Sequence, residues 1–278
     1  MRTKDRPEFL ARAIRSVVAQ TDTNWCLTII NDGGDQAALE ATVQRFQKDL
    51  SGKFQLIHFA TSRGRGMGEH LNAGIAATDS EFLAIHDDDD SWSPEFLEKT
   101  RNFLGSGMGV VTQSWKINEE WRGQEFVETD REIYEAWQTH EISLYRLAEN
   151  LTFPPIAFLF RRTAVSEIGE FDDQLGPLED WEFALRFFSR YEVAFLEEPL
   201  ANYHHRVGAN AGASANSKLN AAKIYGRLDQ KIRNKLLRED IARGKVGLGF
   251  LVNMSAKHAQ VIHHFSEFSK SSDVHSSK

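Results

Sequence analysis

A chain of 278 residues with 41% hydrophobic content is long enough to bury a substantial core, and its composition excludes a disordered or fibrous protein. Its 40 acidic and 33 basic residues leave a formal charge of -7, which argues against a general nucleic-acid binder, since such proteins present a net basic face. The single cysteine, Cys26, excludes an intramolecular disulfide and a cysteine-based zinc cluster, which suits a reducing compartment. The first residues carry no apolar signal stretch, and no window approaches the roughly 20 apolar residues of a membrane-spanning helix. The expectation is a cytoplasmic protein, soluble or peripheral at the inner face of a membrane.

In chain order, the first half alternates helical and strand patterns, the signature of strand-helix-strand units around a largely parallel sheet. Asp5 with Glu8 forms a capping-box pattern, Pro7 suits a first turn, and Phe9, Leu10, Ala13, Ile14, Val17 and Val18 make one apolar helical stripe. Residues 25–30 read as a buried strand that stops at Asn31-Asp32-Gly33-Gly34, a turn open to close ligand approach. A helix with Leu39, Val43, Phe46 and Leu50 on one face and a strand over 54–59 repeat the unit. Residues 62–69 form a glycine-rich, basic loop carrying Arg63 and Arg65, followed by a short helix over 71–77. The strand over 81–85 then ends at Asp87-Asp88-Asp89-Asp90. Ser93-Pro94-Glu95 opens the next helix, and Val110 and Val111 begin another strand.

From 115 to 150 the pattern loosens, as in a variable cap over a sheet edge. It returns at 156–160, in a short helix ending at Gly169, in a helix over 179–191 that buries Trp181, Ala184, Leu185 and Phe188, and in a strand over 193–196. The small, polar stretch 207–217 reads as a mobile loop of the kind that closes over ligands. A helical appendage is expected over 218–265, basic over 218–243, and a disordered tail over 266–278.

Four carboxylates directly after an apolar strand sit at the sheet edge where open α/β folds place their ligands. A hard cation, Mn2+ or Mg2+, bound by one or two carboxylates and sharing substrate phosphates, would balance that charge. The plainer alternative, a solvated acidic turn capping the next helix, loses weight beside the apolar strand before the quartet and Trp92 after it. Tyr203-His204-His205-Arg206 follows a strand, where imidazole or guanidinium groups reach a metal or a diphosphate, although adjacent histidines on an extended strand point to opposite sides. Arg63 and Arg65 offer charge-assisted bonds to phosphate, with ordinary surface arginines an equal alternative. The glycine-rich loop lacks the Gly-Lys-Ser/Thr of a P-loop, and no Gly-x-Gly-x-x-Gly joins a first strand to its helix.

The pattern Asp87-x-Asp89-Asp90, then Trp92 and Pro94, resembles the metal-binding signature of glycosyltransferase family 2. Residues 2–21 resemble that family's opening loop and first helix, Asn31-Asp32-Gly33-Gly34 its base-contacting turn, and Asn72-Ala73-Gly74 continues the match. Glu179-Asp180-Trp181-Glu182-Phe183, about ninety residues after the quartet, resembles the acidic pair holding the catalytic base. The resemblance covers residues 2–206 and implies an α/β protein of GT-A type, its central sheet mostly parallel, that inverts the sugar on transfer from a nucleotide diphosphate to an acceptor hydroxyl. It implies Asp180 as base, Asp89 as metal ligand with Asp87 and His205 assisting, and Asp87 and Asp88 near the donor ribose and sugar. Asp32 would accept from a pyrimidine N–H with Thr3 beside the base, while Arg63, Arg65, His204 and Arg206 would meet the donor's phosphates.

The expected cofactor is Mn2+ or Mg2+. The expected partners are a UDP-sugar or other pyrimidine nucleotide-sugar donor and a glycan or lipid-linked glycan acceptor, as in bacterial polysaccharide synthesis, with peripheral membrane association and no nucleic acid. One domain is expected over 1–206, its nucleotide-sugar half at 1–114 and its acceptor-side half at 115–206. Two departures from the family stand out: Leu71 occupies a position where relatives place arginine, and no apolar first strand precedes Arg2-Thr3, so Met1 is expected to be internal to a longer chain. The rival classes are an inactive GT-A-like nucleotide-sugar or glycan-binding domain and a metal-dependent phosphohydrolase.

Overall fold

The computed structural model describes residues 1–60, 68–122, 125–135, 141–206 and 222–275. Arg63, Arg65 and the loop expected over 207–217 lie outside these residues. The first run is β1 (Arg2–Thr3), α1 (Pro7–Val18), β2 (Leu27–Asp32), α2 (Gln36–Gln44), α3 (Gln47–Leu50) and β3 (Phe54–Phe59), and it builds a parallel sheet in the order β1-β2-β3. The first strand, before which no apolar run was expected, consists of Arg2 and Thr3 alone: Arg2 pairs with Ile30 of β2, Thr3 with Asn31, and Arg2 also bridges to Asp87.

Next come α4 (Gly68–Ala76), β4 (Phe82–Ala84), β5 (Ser91–Trp92), α5 (Phe96–Leu104), β6 (Gly109–Arg122) and β7 (Glu125–Ile133). They are followed by α6 (Leu144–Leu147), β8 (Phe158–Arg161), α7 (Thr163–Ile168), α8 (Glu179–Arg190) and β9 (Ala194–Arg206). The strands form a second sheet, ordered β4-β8-β6-β9-β5 with β7 on β6. The parallel pairing expected of most of the central sheet is found in the first sheet and in the β6–β9 pair, while the other pairs of the second sheet are antiparallel. Parallel pairing needs a long crossover. The chain between β6 and β9 supplies one through α6, α7 and α8, whereas β7 follows β6 too closely for anything but a hairpin. That hairpin replaces the loose cap expected over 115–150. It lacked a clean alternation because much of β7 is exposed and its pairing rests on charge, as in Lys116 to Glu132 at 2.7 Å.

The core lies between these sheets and their helices. Leu10, Ile14 and Val17 of α1 pack against a β2 buried along its whole length. Phe171 stacks on Phe183 with centroids 4.0 Å apart, and Phe158, Phe160 and Phe187 continue the aromatic cluster onto β8.

Helices α9 (Ala222–Arg243) and α10 (Leu248–His275) close the chain, so residues 266–275, expected to be disordered, continue a helix. The apolar spacing of Val261, Phe265 and Phe268 carries the helical period into that serine-rich end. Arg233 fastens α9 to the body: it lies 4.9 Å over the Trp181 ring and donates to the Ala148 carbonyl at 3.1 Å. No helix among the described residues is long and apolar enough to cross a membrane.

Where α10 meets α9, a Cβ on Gly249 would sit 2.3 Å from the backbone carbonyl of Leu236. Alanine favours a helix by about 1 kcal/mol over glycine, but an overlap with fixed backbone outweighs that gain. Gly249→Ala is therefore expected to lower the unfolding free energy in a urea titration by about 2 kcal/mol, and an unchanged or increased stability would contradict the close helix contact.

Candidate active site

The quartet of aspartates occupies the tight turn from β4 to β5, with the Asp90 N–H reaching the Asp87 carbonyl at 3.4 Å. The turn is fixed from below by Trp92. Its ring stacks on Phe96 at 4.4 Å, meets the His86 ring edge-on at 4.5 Å, and its indole N–H donates to the Ile156 carbonyl at 2.8 Å. Ser91 and Trp92 also pair with Asn202 and Ala201, which ties the turn to β9.

Each carboxylate has a different environment. Asp88 accepts from the Thr3 hydroxyl at 2.7 Å and from Arg6 at 3.0 Å, while Asp89 accepts from Arg206 at 2.7 Å and from Arg6 at 3.2 Å. Asp90 accepts the backbone N–H of His204 at 2.8 Å. Burial acts to raise Asp89, but the guanidinium groups of Arg206 and Arg6 outweigh it and hold this carboxyl below its ordinary range. Burial and the neighbouring Asp89 raise Asp88 and Asp90 instead. Burial, reinforced by Asp89, Asp88 and Asp180 against Arg2, pushes Asp87 up to about 7.

A second layer of buried polar groups supports the turn. Arg12 donates to the Asp89 carbonyl and, at 2.7 Å, to Glu119. Glu119 also lies 3.0 Å from His204 Nδ1, and His204 Nε2 lies 3.0 Å from the Ser91 hydroxyl. His204 was expected to contact the donor, but both its ring nitrogens are taken by protein partners, so it is a support of this layer. Alternation along β9 puts Arg206 on the same side as His204 and turns the half-buried His205 to the other, opposite Asn118 of β6.

The far wall of the cleft is the start of α8. Asp87, Glu179, Asp180 and Arg2 line one cavity of about 550 Å³. Neither carboxylate oxygen of the fully buried Glu179 has a hydrogen-bond partner among the described residues, and burial, then Asp180, raise its pKa well above the ordinary value. Near Arg2, which lies 3.5 Å from Asp32, His70 Nε2 approaches Asp32 Oδ1 to 3.2 Å without making a hydrogen bond. Burial lowers the His70 pKa against the pull of Asp32, so the ring is neutral at pH 7. Buried polar atoms without partners are rare in folded proteins and mark places where a ligand or water completes the bonding.

The structure thus gathers Thr3, Asp87, Asp88, Asp89, Asp180 and Arg206, with Asp32 joined through Arg2. Sequence reasoning passed over Arg6, Arg12, Glu119, His86 and His70. Arg6 had a signal, a cation next to the helix-opening Pro7, but Glu119 lay in a stretch without readable period.

Comparison with known proteins bears on the fold and the family. The structure resembles Staphylococcus aureus TarS 1-349 in complex with UDP-GlcNAc, with a TM-score of 0.62 at 17% identity over 85% of this chain and 65% of that one. It also resembles the mannosyltransferase PcManGT from Pyrobaculum calidifontis in complex with GDP-Man and Mn2+, with a TM-score of 0.60 at 13% identity over 92% of this chain and 67% of that one. The fold is thus of the GT-A glycosyltransferase type. Residues 1–169 match Glycosyl transferase family 2, and the chain belongs to that family. The putative glycosyltransferase EpsH of Bacillus subtilis is 25% identical over 221 residues, 72% of this chain and 57% of EpsH. The amylovoran biosynthesis glycosyltransferase AmsE of Erwinia amylovora is 26% identical over 200 residues, 72% of this chain and 69% of AmsE. The chain spans little more than half the length of EpsH.

His86 gives the site a pH signature. It is 2.7 Å from the Asp87 carbonyl through Nδ1 and 3.1 Å from the Ser16 hydroxyl through Nε2, and burial pushes its pKa down to about 3. A carbonyl only accepts, so Nδ1 carries the proton. Its folded pKa lies below the unfolded value of 6.5, so the unfolded chain takes up a proton that the folded chain refuses. Stability falls as pH drops from about 6.5 toward 3. His86→Gln is expected to reduce the slope of stability against pH between pH 6 and 4 by up to about 1.4 kcal/mol per unit, measured by urea unfolding. An unchanged slope would place the acid sensitivity elsewhere.

Proposed function

We propose that this chain is an inverting glycosyltransferase that moves a sugar from a nucleotide diphosphate to an acceptor hydroxyl, with Asp180 as the general base. The observation that carries the reading is the meeting, in one cleft, of Asp87 from the β4–β5 turn with Glu179 and Asp180 from the start of α8. An acceptor hydroxyl between these walls loses its proton to Asp180 while its oxygen attacks the anomeric carbon, and the bond to the diphosphate breaks on the opposite side. The first turn of α8 favours the ionised form of Asp180 through the helix dipole. Burial, followed by the nearby Asp180, disfavours the charged form of Glu179, which weakens its repulsion of Asp180.

The donor set suits a hard divalent cation, Mn2+ or Mg2+. Asp89 and Asp87 are the oxygen ligands in this reading, with His205 the further candidate. A cation held by one or two of these carboxylates would complete its shell with diphosphate oxygens and water. When bound, the cation offsets charge on the leaving diphosphate. Arg6 and Arg206, already against the quartet, supply charge-assisted donors to the same phosphates.

Asp32 with Thr3 and Arg2 forms the base end, and a pyrimidine N–H facing Asp32 Oδ1 would fill the vacancy in its bonding. A UDP-sugar is the preferred donor, and the β6–β7 hairpin with α9 and α10 forms the acceptor side. The acceptor is a glycan or lipid-linked glycan of polysaccharide synthesis, the process in AmsE's name. In this reading the protein works in the cytoplasm, peripheral to the membrane.

Asp180→Asn keeps the shape of the side chain and removes the base. It is expected to lower the transfer rate by about 10³-fold or more with donor affinity within about twofold of the parent's, read by product formation and by calorimetric titration of donor. Near-normal turnover would refute Asp180 as base. Donor binding without turnover in the parent chain itself would favour an inactive binding domain.

A further inference from the structure

The outer face of the α9–α10 hairpin differs in charge from the chain as a whole. The protein carries a formal charge of -7, yet every charged residue exposed between 223 and 263 is a cation. Arg227, Lys231 and Arg238 recur at helical spacing along the outer stripe of α9, and Arg243, Lys245 and Lys257 continue the series through the turn and onto α10. The acids of this stretch are paired or turned inward: Asp229 lies 2.8 Å from Arg233, Glu239 lies 3.7 Å from Arg243, and Asp240 is buried.

Apolar side chains stand among these cations. Ile241 is 71% exposed and Val246 78%, one on each side of the turn, and Phe250 and Met254, each 47% exposed, continue from Val246 along α10 at one-turn spacing. The opposite face of α10 is the one that packs. There Gly249 meets the Leu236 backbone, Val252 is fully buried, and the Ser255 hydroxyl donates to the Tyr145 carbonyl of α6 at 2.7 Å. Ile241 and Val246 therefore contribute little to the packing of the hairpin.

The turn that carries them is held in shape. The buried Asp240 carboxylate accepts from the Gly247 N–H at 3.0 Å and the Phe250 N–H at 2.8 Å, and the Asp240 carbonyl accepts from the Lys245 N–H at 3.2 Å. Gly244 takes a φ of +62°, which an L side chain rarely adopts. Residues 241–247, all exposed, thus stand out from the body as one fixed tip. Apolar residues scattered singly on a surface are ordinary, whereas a continuous apolar set rimmed by charge marks an interaction surface.

We propose that this tip, with the outer stripe of α10, docks the protein on an anionic phospholipid surface, Ile241, Val246 and Phe250 entering the interfacial layer while the cations meet headgroup phosphates. Charge complementarity selects this occupant, because an apolar partner alone leaves the cations unanswered, while an anionic bilayer offers acyl chains and phosphates together. The inference deepens the peripheral placement in the transfer reading and rests on that reading only for the lipid-linked acceptor. Helix α9 is fastened beside the cleft: Lys231 donates to the Gln174 carbonyl at 3.0 Å and Lys235 lies 3.0 Å from Asp172, just ahead of the helix that carries Asp180. A docked tip would fix the orientation of that wall relative to the lipid surface.

The test is flotation of the full chain with vesicles of phosphatidylcholine alone and of phosphatidylcholine mixed with phosphatidylglycerol, with no nucleotide present. The parent is expected to bind the mixed vesicles at least about tenfold more tightly than the neutral ones and to be released by about 0.5 M salt. Ile241→Ser with Val246→Ser, both at exposed positions, and Arg243→Gln with Lys245→Gln are each expected to weaken binding about tenfold or more, with thermal midpoints within about 2 °C of the parent's. Phe103→Ser, at an exposed apolar residue of α5 outside the hairpin, should change nothing. Absence of parent binding, equal binding to both vesicles, full binding by either double variant, binding lost only together with a lowered midpoint, or an equal loss in Phe103→Ser would each overturn the proposal. So would a parent dimer in sedimentation velocity that Ile241→Ser with Val246→Ser dissociates, since the tip would then be a contact between copies. Asp180→Asn is expected to bind vesicles as the parent does, so loss of transfer and loss of docking are read apart.

Discussion

Four carboxylates on one tight turn repel one another, and burying them adds a desolvation cost that no single partner removes. The fold answers by bringing cations from distant parts of the chain. Arg6 enters from the loop before α1 and touches both Asp88 and Asp89, Arg206 comes from the end of β9, and Arg12 of α1 braces the backbone of Asp89 and the buried Glu119. Removing one member of a buried pair costs about 3–5 kcal/mol, so these contacts also hold α1 and β9 against the turn. The outcome is an uneven quartet: Asp89 is held ionised by its arginines, while Asp87 titrates near neutrality. Negative charge is thus concentrated and only partly balanced, the condition under which a divalent cation with a diphosphate binds well.

The same logic places α8. The helix begins with Glu179 and Asp180, which line the same cavity as Asp87 of the turn. Trp181 anchors it, donating to the Leu147 carbonyl at 2.7 Å beneath the Arg233 guanidinium. The buried Glu182 holds Arg186 of the same helix at 2.8 Å, and Arg186 also donates to the Gly169 and Glu170 carbonyls at 3.0 and 2.8 Å, which fixes the rotation of the helix. Asp180 thus faces the cleft because its two neighbours are committed to the core. Rigid support of this kind is what the general-base role proposed for Asp180 requires.

Much of the fold was legible in the sequence because it rests on periodicity. The apolar stripe of α1, the buried β2 and the strand leading into Asp87 are all local patterns, and the order of short motifs pointed to the family. The acid turn was readable because charged residues directly after an apolar strand are costly unless used, and Glu179-Asp180 through its resemblance to the family's acidic pair. What the sequence hid are features made by contacts across long separations. The β6–β7 hairpin is held by cross-strand charge, so its pattern is not apolar. His204 looked like a free imidazole until Glu119 and Ser91, each far away in the chain, were brought against it. Arg6 and Arg12 sat in plain view within the α1 region, yet nothing local marks an arginine as destined for a buried carboxylate. The antiparallel part of the second sheet is likewise set by chain connection rather than by residue type.

The claim on which the functional account stands is that the β4–β5 turn binds a divalent cation together with a nucleotide diphosphate. Calorimetric titration of UDP into the parent chain and into Asp89→Ala, each with Mn2+ and with EDTA, tests it directly. The account predicts that Mn2+ tightens UDP binding to the parent by about tenfold or more and that the gain disappears in Asp89→Ala. UDP affinity that is the same with Mn2+ and with EDTA, or a gain that survives the loss of Asp89, would contradict it.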